Sequence, residues 1–116
     1  MKLLIADDHT LFRDALVQYI ERSTPGVEVF LADDFNGALK IIEQGQDVDL
    51  VILDLRMPGM SGMNGFKVMK EKAPQVKVAL MSGVAEERDV KEALSLGAVG
   101  YFPKTMSGRA LLGAIN

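Results

Sequence analysis

The chain has 116 residues, 48% of them hydrophobic and 25% charged, with a formal net charge of -3 and no cysteine. That length suits one domain at the usual ~100–200 residues each, and the composition excludes disordered, collagen-like and disulfide-scaffold classes. A negative balance supplies no surplus of cations for a phosphate backbone, so this segment is not expected to bind nucleic acid by itself, and any metal must be held by oxygen or by the single histidine, His9.

Leu3-Leu4-Ile5-Ala6 reads as a first strand, and Asp7 and Asp8 stop it too soon for a signal peptide. Leu11 to Arg22 follows with helical period, Phe12, Leu16 and Tyr19 sharing a face, until Ser23-Thr24-Pro25-Gly26 breaks it. Val27 to Leu31 is a second strand, and Asp33 or Asp34 caps a helix running to about Glu43. Four consecutive apolar residues, Leu50 to Leu53, mark a strand buried on both faces of a parallel sheet, and it ends at Asp54. A loop containing Pro58, Gly59, Gly62 and Gly65 leads into a helix through about Lys72, and Val76 to Met81 forms a fourth strand. Glu86 to Leu96 is helical, with Val90, Ala93 and Leu94 on one side and Gly97 as its cap. Val99 to Phe102 is a fifth strand, and Ser107 to Asn116 begins a last helix. No stretch approaches the ~20 apolar residues that cross a membrane, and the cytoplasm is the expected compartment.

Five βα units in this length imply an α/β fold, a doubly wound five-stranded parallel sheet of flavodoxin-like order 2-1-3-4-5 with residues 1–116 as one domain. Ligands of such sheets sit beyond the carboxyl ends of the strands, near the switch point between the first and third. Asp7 and Asp8, Asp54, Ser82 and Gly83, and Lys104 all fall at those ends. Three carboxylates in one crevice repel unless a cation joins them, and an oxygen-only site suits Mg²⁺, which leaves positions free for phosphate oxygens. The chemistry suggested is phosphoryl transfer. Asp54 is the nucleophile, since a carboxylate is already ionised and forms an acyl phosphate without a general base. Lys104 pairs with a phosphoryl oxygen, Ser82 donates to another, and Gly83 leaves room for the donor. Taken singly, these residues have plainer readings: Asp8 as a turn residue, Lys104 as solvated surface, Ser82 as a turn start, Tyr101 as filling the sheet edge. His9 reads as an exposed loop residue rather than a ligand or base.

At these residues the sequence resembles the receiver domains of two-component response regulators, the CheY-like fold, over essentially the whole chain. The blocks that carry the resemblance are Ala6-Asp7-Asp8-His9, Leu53 to Gly62, Leu80-Met81-Ser82-Gly83 and Gly97 to Lys104. Asp-Asp-His at the start and Gly-Tyr-Phe-Pro-Lys-Thr near the end look most like receivers joined to a helix-turn-helix DNA-binding domain of the LuxR/NarL/FixJ type. The resemblance implies a signalling switch rather than an enzyme. Asp54 would be phosphorylated by a histidine kinase, with Mg²⁺ held by Asp8, Asp54 and the backbone carbonyl of Arg56, and Asp7 acting partly through water. It further implies that Ser82 is drawn to the phosphoryl group while Tyr101 moves inward, repacking the face of helix 4, strand 5 and helix 5, and that Arg56 and Val84 tune the rates. It allows a homodimer through that face or through helices 1 and 5, and it implies a DNA-binding output domain beyond this segment. Pro103 precedes Lys104 rather than following it, so the cis-proline feature of many relatives is not carried over.

Three other classes are weighed. A haloacid-dehalogenase-type phosphatase needs a second Asp two residues after the nucleophile, where Arg56 stands. A flavodoxin-like cofactor module wants a phosphate-cradling loop after the first strand, and Asp7 and Asp8 would repel the phosphate. An inert pseudo-receiver would not be expected to keep Asp7, Asp8, Asp54, Ser82 and Lys104 together.

Overall fold

The structure is a computed structural model that describes residues 1–83, 87–105 and 108–115. Five parallel strands, β1 (Lys2–Ala6), β2 (Glu28–Ala32), β3 (Leu50–Asp54), β4 (Lys77–Ser82) and β5 (Gly100–Pro103), alternate with five helices. The helices are α1 (Thr10–Ser23), α2 (Phe35–Glu43), α3 (Met63–Lys72), α4 (Glu87–Ser95) and α5 (Gly108–Ile115). The sheet order is β2-β1-β3-β4-β5. The expected topology is therefore present, with its switch between β1 and β3. Expected positions Glu86, Ser107 and Asn116 lie outside the described residues.

Two apolar layers follow from the two-residue period of the strands. Leu3, Ile5, Leu50, Ile52, Ala79 and Met81 face Leu16 and Ile20 of α1 and Leu111 of α5. Leu4, Val51, Leu53, Val78 and Leu80 face the other way, against Phe35 of α2, Phe66 and Met69 of α3 and Ala93 of α4. All five residues of β3 are buried, as its unbroken apolar run requires.

Local signals explain the helix ends. Asp34 is the N-cap of α2, and its carboxylate accepts the Gly37 N–H at 2.6 Å. At the end of α4, Gly97 has φ +99, its N–H donates to Leu94 O at 3.1 Å, and the Ala98 N–H donates to Ala93 O at 3.0 Å. This paired closure needs a left-handed residue, so glycine stands there.

Two face assignments need correction. On α1 the core stripe is Phe12, Leu16 and Ile20, with Tyr19 half-buried at its margin. Positions 19 and 20 both lie near the line through 12 and 16, and the wholly apolar Ile20 takes the interior place. On α4, Ala93 is buried and Val90 packs against the same cluster, but Leu94, one position further round the helix, is 50% exposed.

Candidate functional site

The pleat aims the chemistry. Leu3-Ile5-Asp7, Leu50-Ile52-Asp54 and Phe102-Lys104 are continuations of rows that face the α1/α5 layer, so the first polar residue of each row arrives on the same side at the carboxyl edge. Backbone bonds extend the ladders to hold them. Asp7 N–H donates to Ala32 O at 3.0 Å, Leu55 N–H to Met81 O at 3.0 Å, and Lys104 N–H to Ser82 O at 2.8 Å.

Asp7 and Asp54 have side chains only 0% and 1% exposed, and between them lies the Lys104 ammonium, 2.9 Å from Asp7 Oδ1 and 2.9 Å from Asp54 Oδ2. The Lys104 side chain is 12% exposed, and its Nζ stands 5.2 Å from the centroid of the Phe12 ring. Burial is the largest single influence on the amine and lowers it. The hydrogen bonds and charges of Asp54 and Asp7 together outweigh it and hold the ammonium above the ordinary lysine value of 10.5. The other oxygen of Asp54, Oδ1, accepts the Arg56 N–H at 3.0 Å. Arg56 thus meets Asp54 through its backbone N–H, and its side chain is exposed.

Asp8 is at the solvent side of the cluster, 3.6 Å from His9 Nδ1. His9 is exposed, as expected of a loop residue, yet Nδ1 turns into the cluster, 2.7 Å from Lys104 Nζ and 3.8 Å from Asp54 Oδ2. Reading it as a bystander was therefore incomplete. The one signal was its place directly after two acids. Arg13 was also missed; its guanidinium donates to the Asp7 backbone carbonyl at 3.4 Å.

Ser82 is buried at the end of β4, one residue past Met81, which pairs in register with Asp54. Gly83 is exposed, and a Cβ built there would meet nothing within 4 Å, so packing does not demand a glycine at that position. Tyr101 is buried in the layer that contains Leu80 and Ala93. Val84 lies outside the described residues.

Ligand atoms from Asp7, Asp8, His9 and Asp54 all fall within 4.8 Å of one another. Three carboxylates against one ammonium leave two negative charges, with His9 neutral. Asp7 Oδ2 is buried with no hydrogen-bond partner among the described residues. A hard divalent cation fits this set: oxygen donors dominate, the net charge is negative, and an ammonium already occupies a cation's position among three acceptors. A cleft of about 900 Å³ opens instead at the opposite edge of the sheet, between Met1, Val48, Leu50, Val76 and Val99. Size alone does not mark the chemistry here, since the convergent charges lie at the carboxyl edge.

A family model described as the response regulator receiver domain matches residues 3–116. The glycerol metabolism activator of Pseudomonas putida is 40% identical over 115 residues, covering 99% of this chain and 52% of that protein. The nitrate/nitrite response regulator NarL of Escherichia coli K12 is 35% identical over 115 residues, covering 98% and 52%. Among solved structures, a LuxR-family DNA-binding response regulator from Silicibacter pomeroyi superposes with a TM-score of 0.86 at 32% identity, covering 99% of this chain and 88% of that one. The receiver domain of the response regulator NarL from Mycobacterium tuberculosis gives 0.84 at 31%, covering 98% and 91%. The chain spans about half the length of the curated relatives it matches.

Proposed function

Because the chain belongs to the response regulator receiver domain family, we propose that Asp54 is its phosphoacceptor, charged by a sensor histidine kinase. A carboxylate oxygen of Asp54 attacks the phosphorus of a phosphohistidine, the P–N bond breaks, and the imidazole leaves as an acyl phosphate forms. The observation that carries this reading is a carboxylate 1% exposed at the end of β3, with an ammonium 2.9 Å from the oxygen that would attack.

Each neighbour then has work. The Arg56 N–H on Oδ1 fixes the carboxylate plane and leaves Oδ2 to Lys104. Lys104 is placed to follow that oxygen and pair with the charge that spreads over the equatorial oxygens. Asp8, Asp54 and the Arg56 backbone carbonyl would hold Mg²⁺, with Asp7 helping through water. Bound there, the ion would supply charge neutralisation for the transfer. Gly83 leaves the donor's path open, and Arg56 and Val84 tune the rates. Ser82 donates to a phosphoryl oxygen and draws the end of β4 inward. Tyr101, buried beside Leu80, repacks with it, so a local change of charge biases the face of α4, β5 and α5.

That face serves as the output. Leu94, Leu96 and Val99 are exposed along α4 and the turn after it, and Leu11 is exposed on α1, so self-association through either the α4 face or the α1/α5 side has apolar surface to use. Residues 1–116 form the phosphoacceptor domain, and DNA is engaged by a separate output domain of a longer regulator, a reading supported by the half-length match to relatives. No helix among the described residues is long and apolar enough to cross a membrane, and we place the protein in the cytoplasm.

Intact mass after incubation with acetyl phosphate and Mg²⁺ tests the reading. One added phosphoryl group is expected, labile at high pH and absent from Asp54→Asn. Undiminished labelling of that variant overturns the assignment of Asp54, and no labelling of the wild type reduces the domain to an interaction module.

A further inference from the structure

His9 has a place in the cluster that none of these roles uses. Its backbone N–H donates to Asp7 Oδ1 at 2.9 Å, and although the side chain is 64% exposed, Nδ1 comes within 2.7 Å of Lys104 Nζ. An ammonium has donors only, so Nδ1 accepts this bond with its lone pair and the ring carries its proton on Nε2. The three N–H groups of Lys104 thus meet three acceptors, Asp7 Oδ1, Asp54 Oδ2 and His9 Nδ1. Two carboxylate oxygens and one imidazole lone pair are already aimed at a single cation.

A second observation is independent of this convergence. Asp7 is wholly buried, and its Oδ2 has no hydrogen-bond partner among the described residues. Buried acceptors are nearly always satisfied, and a bound cation or one of its waters would satisfy this one. The remaining carboxylate, Asp8, belongs to the same group of ligand atoms within 4.8 Å of one another.

Donor chemistry decides which cation. Carboxylates and water suit Mg²⁺, which takes few protein ligands, whereas an imidazole nitrogen suits borderline first-row ions and is a poor partner for Mg²⁺. We propose that His9 Nδ1 is a direct ligand for a divalent transition ion such as Co²⁺ or Zn²⁺, which binds with the Asp8 and Asp54 carboxylates in competition with Mg²⁺. The inference rests on the reading of the acidic cluster as a divalent-cation site and adds the residue that sets which ion it prefers. As the ion enters, Lys104 gives up Nδ1, because two cations cannot share one lone pair.

The test uses the untagged chain, whose single histidine makes its signals unambiguous. Titration with ZnCl₂, followed by ¹⁵N NMR, is expected to move the His9 Nδ1 resonance to that of a metal-bound nitrogen, while MgCl₂ leaves it in place. His9→Ala removes a largely exposed ring and keeps the backbone N–H bond to Asp7, so it should fold. Its Co²⁺ affinity should fall at least about tenfold, with a smaller change for Mg²⁺. If Zn²⁺ binds but the Nδ1 resonance does not move, or the variant binds Co²⁺ as tightly as wild type, His9 is not a ligand and the cation site stands without it. If neither ion binds the wild type, the cation site itself is overturned, and this inference with it.

Discussion

Removing the ammonium without shortening its stem gives the sharpest test of the cluster. In Lys104→Met the apolar stem still packs near Phe12, but Asp7 and Asp54, 0% and 1% exposed, are left without their shared counter-charge. Deleting one partner of a buried pair costs ~3–5 kcal/mol. The 12% exposure of the Lys104 side chain lets some water reach the carboxylates, which puts the expected loss at the low end, about 3 kcal/mol in EDTA. For a domain near this size that is a fall in Tm of roughly 10–20 °C. Adding Asp54→Asn should recover part of the loss, since only one orphaned carboxylate remains, with a non-additive term of at least ~1 kcal/mol. Asp54→Asn alone relieves like-charge crowding but gives up the same ion pair, so its effect on the metal-free domain should be much smaller. Mg²⁺ at ten times its Kd adds about 1.4 kcal/mol to any variant that binds it. Urea denaturation followed by circular dichroism in EDTA measures all three variants. A loss below ~1 kcal/mol for Lys104→Met, or strict additivity in the double variant, would mean that Lys104 is not the counter-ion that its geometry suggests.

The same pair fixes a pH dependence. Lys104 is held above 10.5, so its stabilisation is complete below that value and fades as pH rises through the higher folded value. The stability gap between wild type and Lys104→Met should therefore be level from neutral pH to 10.5 and narrow above it; a gap that closes near neutrality would contradict the assignment. Asp34→Ala removes the cap that accepts the Gly37 N–H at 2.6 Å and should cost about 1 kcal/mol, with Asp34→Asn nearly neutral. Equal midpoints for Asp34→Ala and wild type in urea would dismiss the cap. Gly65→Ala would bring a Cβ to 2.9 Å from the Met60 carbonyl oxygen, which cannot swing aside as the Met60 thioether can. A loss of ~1–3 kcal/mol is expected, and an unchanged melting curve would show that the start of α3 can shift.

Much of the architecture was legible because it depends on residue type in order. Leu50 to Leu53 could only be an interior strand, and Asp34 had a donor to cap three residues on. The acidic edge was legible for a topological reason, since parallel strands deliver their carboxyl ends to one side whatever lies between them. Direction was harder. Helical period alone could not choose between Tyr19 and Ile20, nor show that Leu94, next to the buried Ala93, would stand half in water. Adjacency placed His9 beside two acids without saying where its ring points. Its partner Lys104 is 95 positions away, brought to it by the pairing of β1 with β3, β3 with β4 and β4 with β5.

That long-range contact changes what the lysine means. Sequence chemistry assigns Lys104 to a phosphoryl oxygen, but at rest it meets Asp7, Asp54 and His9, so every acceptor it would leave is one a metal ion could use. On the proposed reaction, Asp54 gains negative charge beyond the resting carboxylate, and the ammonium follows that charge outward. Its departure frees Asp7 Oδ1 and the His9 lone pair together. On that proposal, lysine and divalent ion would draw on shared acceptors rather than act as independent parts.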